Sequence, residues 1–164
     1  MKRAALIFDI ILIILLFASC ATSKQARQYR QTVDGSWQLK SVTSEGITGT
    51  VRTMLFNEAD LNCFVGSNWE FSNHNSLGSY SISSNTGTCP ALKRNIRWSV
   101  YESAADEPKL LQFKRVDDKY KEIDDNSAGF RFTILELDNT QMKLRSDITF
   151  EGKPSAFIYN FVRL

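Results

Sequence analysis

From Gly35 to the C-terminus the apolar and polar positions alternate with a period of two. Trp37 and Leu39 sit among Gln38 and Lys40, Trp69 and Phe71 among Glu70 and Ser72, and Ile96, Trp98 and Val100 among Arg97 and Ser99. Tyr80 and Ile82, Leu111 and Phe113, Phe130, Phe132 and Ile134, and Met142, Leu144, Ile148 and Phe150 repeat the pattern. Side chains of a strand point alternately to its two faces, so this spacing predicts strands with one buried face. Turn-forming clusters separate the runs: Asn73-His74-Asn75-Ser76, Asn85-Thr86-Gly87, Asp124-Asp125-Asn126, Asp138-Asn139-Thr140 and Glu151-Gly152-Lys153-Pro154. Short, regular spacing without strand–helix alternation predicts an all-β, antiparallel, up-and-down meander. About eight such strands close into a barrel, which removes exposed edges. Only residues 57 to 65 hint at a short helical turn. The last run, SAFIYNFVRL, is apolar on both faces, so its outer face requires a cover.

The first twenty residues follow another rule. Lys2 and Arg3 precede an apolar stretch over residues 4 to 17 that is interrupted by Asp9, and the small pair Ala18-Ser19 follows. This is the layout of an export signal over residues 1 to 19. A spanning helix needs about 20 apolar residues without a charge near its middle. Leu16-Phe17-Ala18-Ser19-Cys20 resembles the lipobox of bacterial lipoproteins, which implies cleavage before Cys20 and acylation of its thiol. Residues 20 to 33 then form a lipidated N-terminus and a polar, flexible stalk, and residues 34 to 164 the barrel domain. Membrane contact is made through acyl chains, each buried methylene contributing about 0.8 kcal/mol. By resemblance to other lipoproteins, Ala21 after the cysteine implies the outer membrane. The absence of an acidic string in the stalk implies that the domain faces the periplasm.

Charge narrows the partners. The chain has 20 basic and 18 acidic residues, and the leader removes two of the first and one of the second. A chain so balanced has no basic stripe for nucleic acid. The 11 Phe, 5 Tyr and 3 Trp supply large side chains for a single core.

Candidate chemistry is sparse. With Cys20 acylated, Cys63 and Cys89 remain as an even pair in an oxidising compartment, where a disulfide is the expected state. His74 is the only histidine and falls in a turn. The acidic pairs Asp106-Glu107, Asp117-Asp118 and Asp124-Asp125 lack the alternate spacing of a calcium loop. No nucleophile–base pair, metal set or phosphate-cradling glycine motif is visible, so the reading is a non-enzyme without catalytic residues, metal or cofactor.

Gly35-Ser36-Trp37 opening the first strand, Cys63 and Cys89 flanking Trp69-Glu70-Phe71, Trp98 on a middle strand and the closing Phe161-Val162-Arg163-Leu164 together resemble the lipocalin-like lipoproteins of Bacteroidetes. The resemblance covers residues 35 to 164 and implies a lipocalin-like barrel. Trp37 is then a structural plug at one barrel end, with Arg163 of the last strand over its ring. Small or polar residues at or beside inward positions, Ser41, Gly78, Glu102 and Ser146, predict a cavity open at one end and lined by Phe71, Tyr80, Trp98 and Phe132. The implied function is binding of a small apolar or amphipathic molecule. The alternative is a filled barrel that serves protein interaction, inhibition or envelope assembly, with a protein partner that the sequence does not identify.

Overall fold

A computed structural model describes residues 24–49, 52–83, 88–102, 107–124 and 129–164. The export signal and Cys20 lie outside the described residues. The chain enters through a helix, α1 (Lys24–Val33), and continues into β1 (Gly35–Glu45). Two short strands, β2 (Met54–Leu55) and β3 (Ala59–Asp60), and a 3-10 turn over Leu61–Phe64 follow. The remaining strands are β4 (Asn68–Ser72), β5 (Leu77–Ile82), β6 (Leu92–Tyr101), β7 (Leu110–Val116), β8 (Phe130–Leu137), β9 (Gln141–Phe150) and β10 (Lys153–Arg163).

Eight of the strands close a barrel in the order β1-β10-β9-β8-β7-β6-β5-β4, every neighbouring pair antiparallel. The meander inferred from the period of two is therefore present. The small β2-β3 hairpin stands apart from it. The alternation resolves as expected: Trp37, Leu39, Trp69, Phe71, Tyr80, Ile96, Trp98, Leu111, Phe113, Met142 and Leu144 are buried in one core. Each indole N–H in that core has an acceptor: Val33 O for Trp37 at 2.8 Å, Ser67 Oγ for Trp69 at 2.9 Å and Leu77 O for Trp98 at 2.9 Å. Barrel pairing, core and both end covers lie within residues 24–164, so this segment is a self-contained folding unit.

The flexible stalk expected over residues 20 to 33 is corrected over residues 24–33. Residues 24–33 form α1, whose Ala26 and Val33 are buried. A ten-residue helix is marginal in water, and this one is made by what it covers. Arg30 donates from Nε to Asn73 Oδ1 at 2.5 Å and from Nη2 to Ser76 Oγ at 2.6 Å, and its guanidinium lies 5.2 Å from the Trp98 ring centre. Among the polar residues of this segment, Arg30 is an anchoring group whose partners come from the β4–β5 turn. α1 thereby closes one barrel end, the end where β1 begins and β10 finishes. No helix among the described residues is long and apolar enough to cross a membrane.

The opposite end is covered by the segment between β1 and β4. Cys63 in the 3-10 turn is disulfide-bonded to Cys89 on the β5–β6 connection, with Cα atoms 5.3 Å apart, as the even pair predicted. The double apolar character of β10 is also explained. Phe157, Tyr159 and Phe161 join the core, while Ala156 and Ile158 on the other face are buried as well. Arg145 of β9 pairs with Glu45 of β1 at 2.5 Å and with Asp147 at 2.7 Å. To reach Glu45 it must cross β10, because Glu45, Ala156 and Asp147 share one register row, and its stem shields that face.

Candidate functional site

The sequence placed Phe71, Tyr80, Trp98 and Phe132 on a cavity wall. All four do point into the barrel and all four are buried, but they divide into two groups. Phe71 and Trp98 meet edge-to-face at 5.2 Å toward the α1 end. Tyr80 and Phe132 lie at the opposite end, and Trp69 joins the groups, 6.2 Å from Phe71 and 4.7 Å from Tyr80.

The open cavity expected between them is filled, and the filler is Phe56. This residue sits at the turn of the β2-β3 hairpin, outside the ladder of the barrel, and its ring drops into the mouth. It lies 5.3 Å from Phe64, 6.0 Å from Trp69, 5.6 Å from Tyr80, 5.2 Å from Phe113, 4.6 Å from Phe130 and 6.3 Å from Phe132. Beneath it, between Leu111, Leu144, Tyr159 and Phe161, about 10 Å³ remains, room for a single water. The small and polar positions leave no further space. The bulge between Leu39 and Ser41 changes which side chains face in. Ser41 pairs with Asn160, whose Nδ2 donates to Ser41 Oγ at 3.1 Å, and Val42 packs against the core instead. At Gly78 a Cβ would collide with the Glu70 carbonyl. The Ser146 hydroxyl is 3.2 Å from the Tyr159 hydroxyl, and Glu102 is ion-paired with buried Lys109.

Two residues beyond Phe56, Glu58 turns its carboxylate into a polar cluster at the rim of the same mouth. Tyr80 Oη donates to Glu58 Oε2 at 2.5 Å, Arg115 Nη1 lies 3.0 Å from Oε1, and Arg94 Nε donates to Oε1. Arg115 is held from its other side by Asp124, through Nε at 2.8 Å and through Nη2. The side chains of Glu58, Asp124 and Arg115 are 6 %, 8 % and 13 % exposed, that of Arg94 43 %. Burial, then the hydrogen bond to Glu58, pushes the Tyr80 phenol far above its ordinary range, so it stays a donor. The Asp124 hydrogen bond holds the Arg115 guanidinium firmly protonated. Tyr80 is thus the one residue singled out in the sequence that touches both the aromatic interior and the charged rim.

At the α1 end, the Arg163 guanidinium lies 4.4 Å from the Trp37 ring centre, as the barrel-closure argument required. Beside this end, an open surface depression of about 430 Å³ runs past Gly35, Ser36, Phe71 and Leu77.

The lipocalin-like domain family matches residues 33–144 of the chain. The chain belongs to that family. Among solved structures, this lipocalin-like chain is similar to a lipocalin-like protein from Bacteroides uniformis, at 13% identity over 81% of this chain and 99% of the other, with a TM-score of 0.47. It is also similar to bovine odorant-binding protein in complex with a selenium-containing odorant, at 13% identity over 90% of this chain and 78% of the other, TM-score 0.38. A second structure of that bovine protein, with its natural ligand, matches at 12% identity over 89% and 77%, TM-score 0.38. No curated protein matches the chain.

Sequence reasoning missed Phe56, Phe113 and Phe130 as the rings that complete the mouth, and Glu58, Arg94 and Arg115 at its rim. Phe56 carried one weak signal, an aromatic ring that ends the short apolar run Met54-Leu55-Phe56 before Asn57-Glu58. The charged residues carried none, since their loop and strands meet only when the barrel closes. Among the described residues no group of three or more His, Cys, Asp or Glu side chains is placed to hold a metal ion.

Proposed function

We propose that this lipocalin-like chain is a lipid-anchored, non-catalytic barrel of the bacterial envelope that takes up a small apolar or amphipathic molecule at the mouth opposite α1. One observation carries the reading: the aromatic interior is filled at its mouth by a side chain that belongs to a separate hairpin, not to a barrel strand. A filler on a hairpin whose strands pair only with each other can be exchanged for a ligand of similar shape. Phe71, Tyr80, Trp98 and Phe132 are the wall that such a ligand would meet.

The anchor rests on the leader pattern and Cys20. Replacing Cys20 with Ser is expected to move the protein from the membrane to the soluble fraction. Persistence on membranes after a carbonate wash, with the leader removed, would rule the anchor out. Outer-membrane placement with the barrel facing the periplasm rests on Ala21 and on the non-acidic segment after it.

The binding reading is tested by a melting screen of residues 24–164 against fatty acids, sterols and small aromatic metabolites, with native mass spectrometry of the protein taken from its own envelope. A ligand of the folded state at 100 times its Kd adds about 2.7 kcal/mol, a shift of several degrees for a domain of this size. The nearly complete filling of the interior favours one competing reading, a barrel that offers only its rim to another protein. No shift with any compound and no co-purified small molecule would select it.

A further inference from the structure

We propose that Phe56 and Glu58 imitate the ligand, and that the molecule this site takes is an amphiphile with one apolar tail and one carboxylate. The inference rests on the binding reading above and assigns its chemistry. The carboxylate would replace that of Glu58 on Tyr80, Arg94 and Arg115, and the tail would occupy the volume that the Phe56 ring and the lifted hairpin tip vacate beside Trp69, Phe113 and Phe132.

Charge accounting selects the head group. Glu58 and Asp124 offset Arg94 and Arg115 at the rim. A neutral ligand that expelled Glu58 would leave the largely buried Arg115 guanidinium and the half-exposed Arg94 facing one carboxylate, and a cationic one would add to the excess. Another carboxylate restores the balance and recovers the charge-assisted bonds, with the protonated Tyr80 hydroxyl as a third donor. Geometry selects the tail, because the ring and carboxylate to be replaced belong to one short stretch of chain and point into adjoining apolar and polar compartments.

The imitation is also held loosely by its backbone. Phe56 and Asn57 both have positive φ, 55° and 56°. Asn tolerates that region, whereas a bulky aromatic residue is strained there. The hairpin pairs only with itself, Met54 with Asp60 and Leu55 with Ala59, so lifting its tip breaks no barrel ladder. Its base stays fastened by the Leu61 N–H bond to Thr53 O at 2.9 Å and by the disulfide at Cys63. The strain is released and the Glu58 carboxylate rehydrated when the tip leaves.

The test compares laurate with dodecanol, which has the same tail and no charge, on the folded unit of residues 24–164. F56A/E58Q is expected to bind laurate at least tenfold more tightly than the unaltered protein, and at least tenfold more tightly than it binds dodecanol. Adding R94Q is expected to weaken laurate about tenfold and leave dodecanol unchanged. The unaltered protein supplies a check that needs no variant: laurate is expected to speed hydrogen exchange at the Glu58 amide, which is bonded to Leu55 O at 3.1 Å, while the barrel strands slow. Equal binding of the two compounds, indifferent to Arg94, would overturn the carboxylate assignment and leave the binding reading standing. Laurate bound with the Glu58 amide still protected would overturn the imitation. Failure of both compounds on every form would remove the binding reading and this inference together.

Discussion

The guanidinium of Arg163 lies over the indole of Trp37, its carbon 4.4 Å from the ring centre, while Nη1 donates to Asp34 O at 2.7 Å and Nη2 to Thr32 O. One side chain thereby joins the end of the last strand, the start of the first and the C-terminus of α1. Negative helix ends and electron-rich ring faces both attract a cation. R163A is expected to cost about 2 to 3 kcal/mol, from the lost cation–π contact and the charge-assisted bonds, measured as a lower urea midpoint. R163K should recover only a small part, because an ammonium cannot reach both carbonyls and cover the ring at once. Full recovery by Lys would refute the fork geometry.

Gly35 is the passage through which that guanidinium reaches the carbonyls. Its φ is +120°, and a Cβ there would collide with Arg163 Nη1. G35A is expected to cost about 1 to 3 kcal/mol and to be non-additive with R163A, since truncating the arginine removes the collision but not the strained φ. Strict additivity in a double-mutant cycle would contradict the contact.

Reduction of Cys63–Cys89 is expected to remove about 3.5 kcal/mol, from the entropy of a loop closed over a separation of 26 residues. The melt of the reduced protein should fall by well over five degrees. Because the bond ties the covering segment to the β5–β6 connection, proteolysis of the reduced protein should begin between β1 and β4. Cleavage beginning instead among the strands β7 to β10 would show that the disulfide does not fasten that cover.

Asp138 orders the β8–β9 turn. Its Oδ1 accepts from the Thr140 hydroxyl and N–H, each at 2.7 Å, and from Gln141 N–H at 2.9 Å. The Thr140 hydroxyl bond, then the backbone bonds of Thr140 and Gln141, hold its carboxyl down at about 2. A carboxyl depressed in the folded state adds stability above its unfolded pKa of about 3.9, and that contribution is lost as pH falls from there through 2. D138N should flatten this part of the stability–pH curve between pH 4 and 2 and leave the curve above pH 5 parallel to that of the unaltered protein. An unchanged slope below pH 4 would assign the acid sensitivity elsewhere.

Strand identity, the antiparallel barrel and the core-facing set were legible in the sequence because a period of two and turn-forming clusters are local signals. Trp37 with Arg163, and Cys63 with Cys89, were legible because barrel closure and an even cysteine count constrain distant positions even when the path between them is not known. α1 was not legible: KQARQYRQTV is polar, and its burying face appears only once Trp37, Trp98 and the β4–β5 turn lie beneath it. The contents of the barrel were decided by tertiary structure alone. Alternation shows which side chains point inward but not how much of the interior they fill. That was settled by Phe56, a loop residue with no periodic neighbours, and by Glu58, Arg94 and Arg115, which belong to three separate segments. A strand pattern is set by each residue's immediate neighbours, whereas the filling of a closed volume depends on every segment that can reach it.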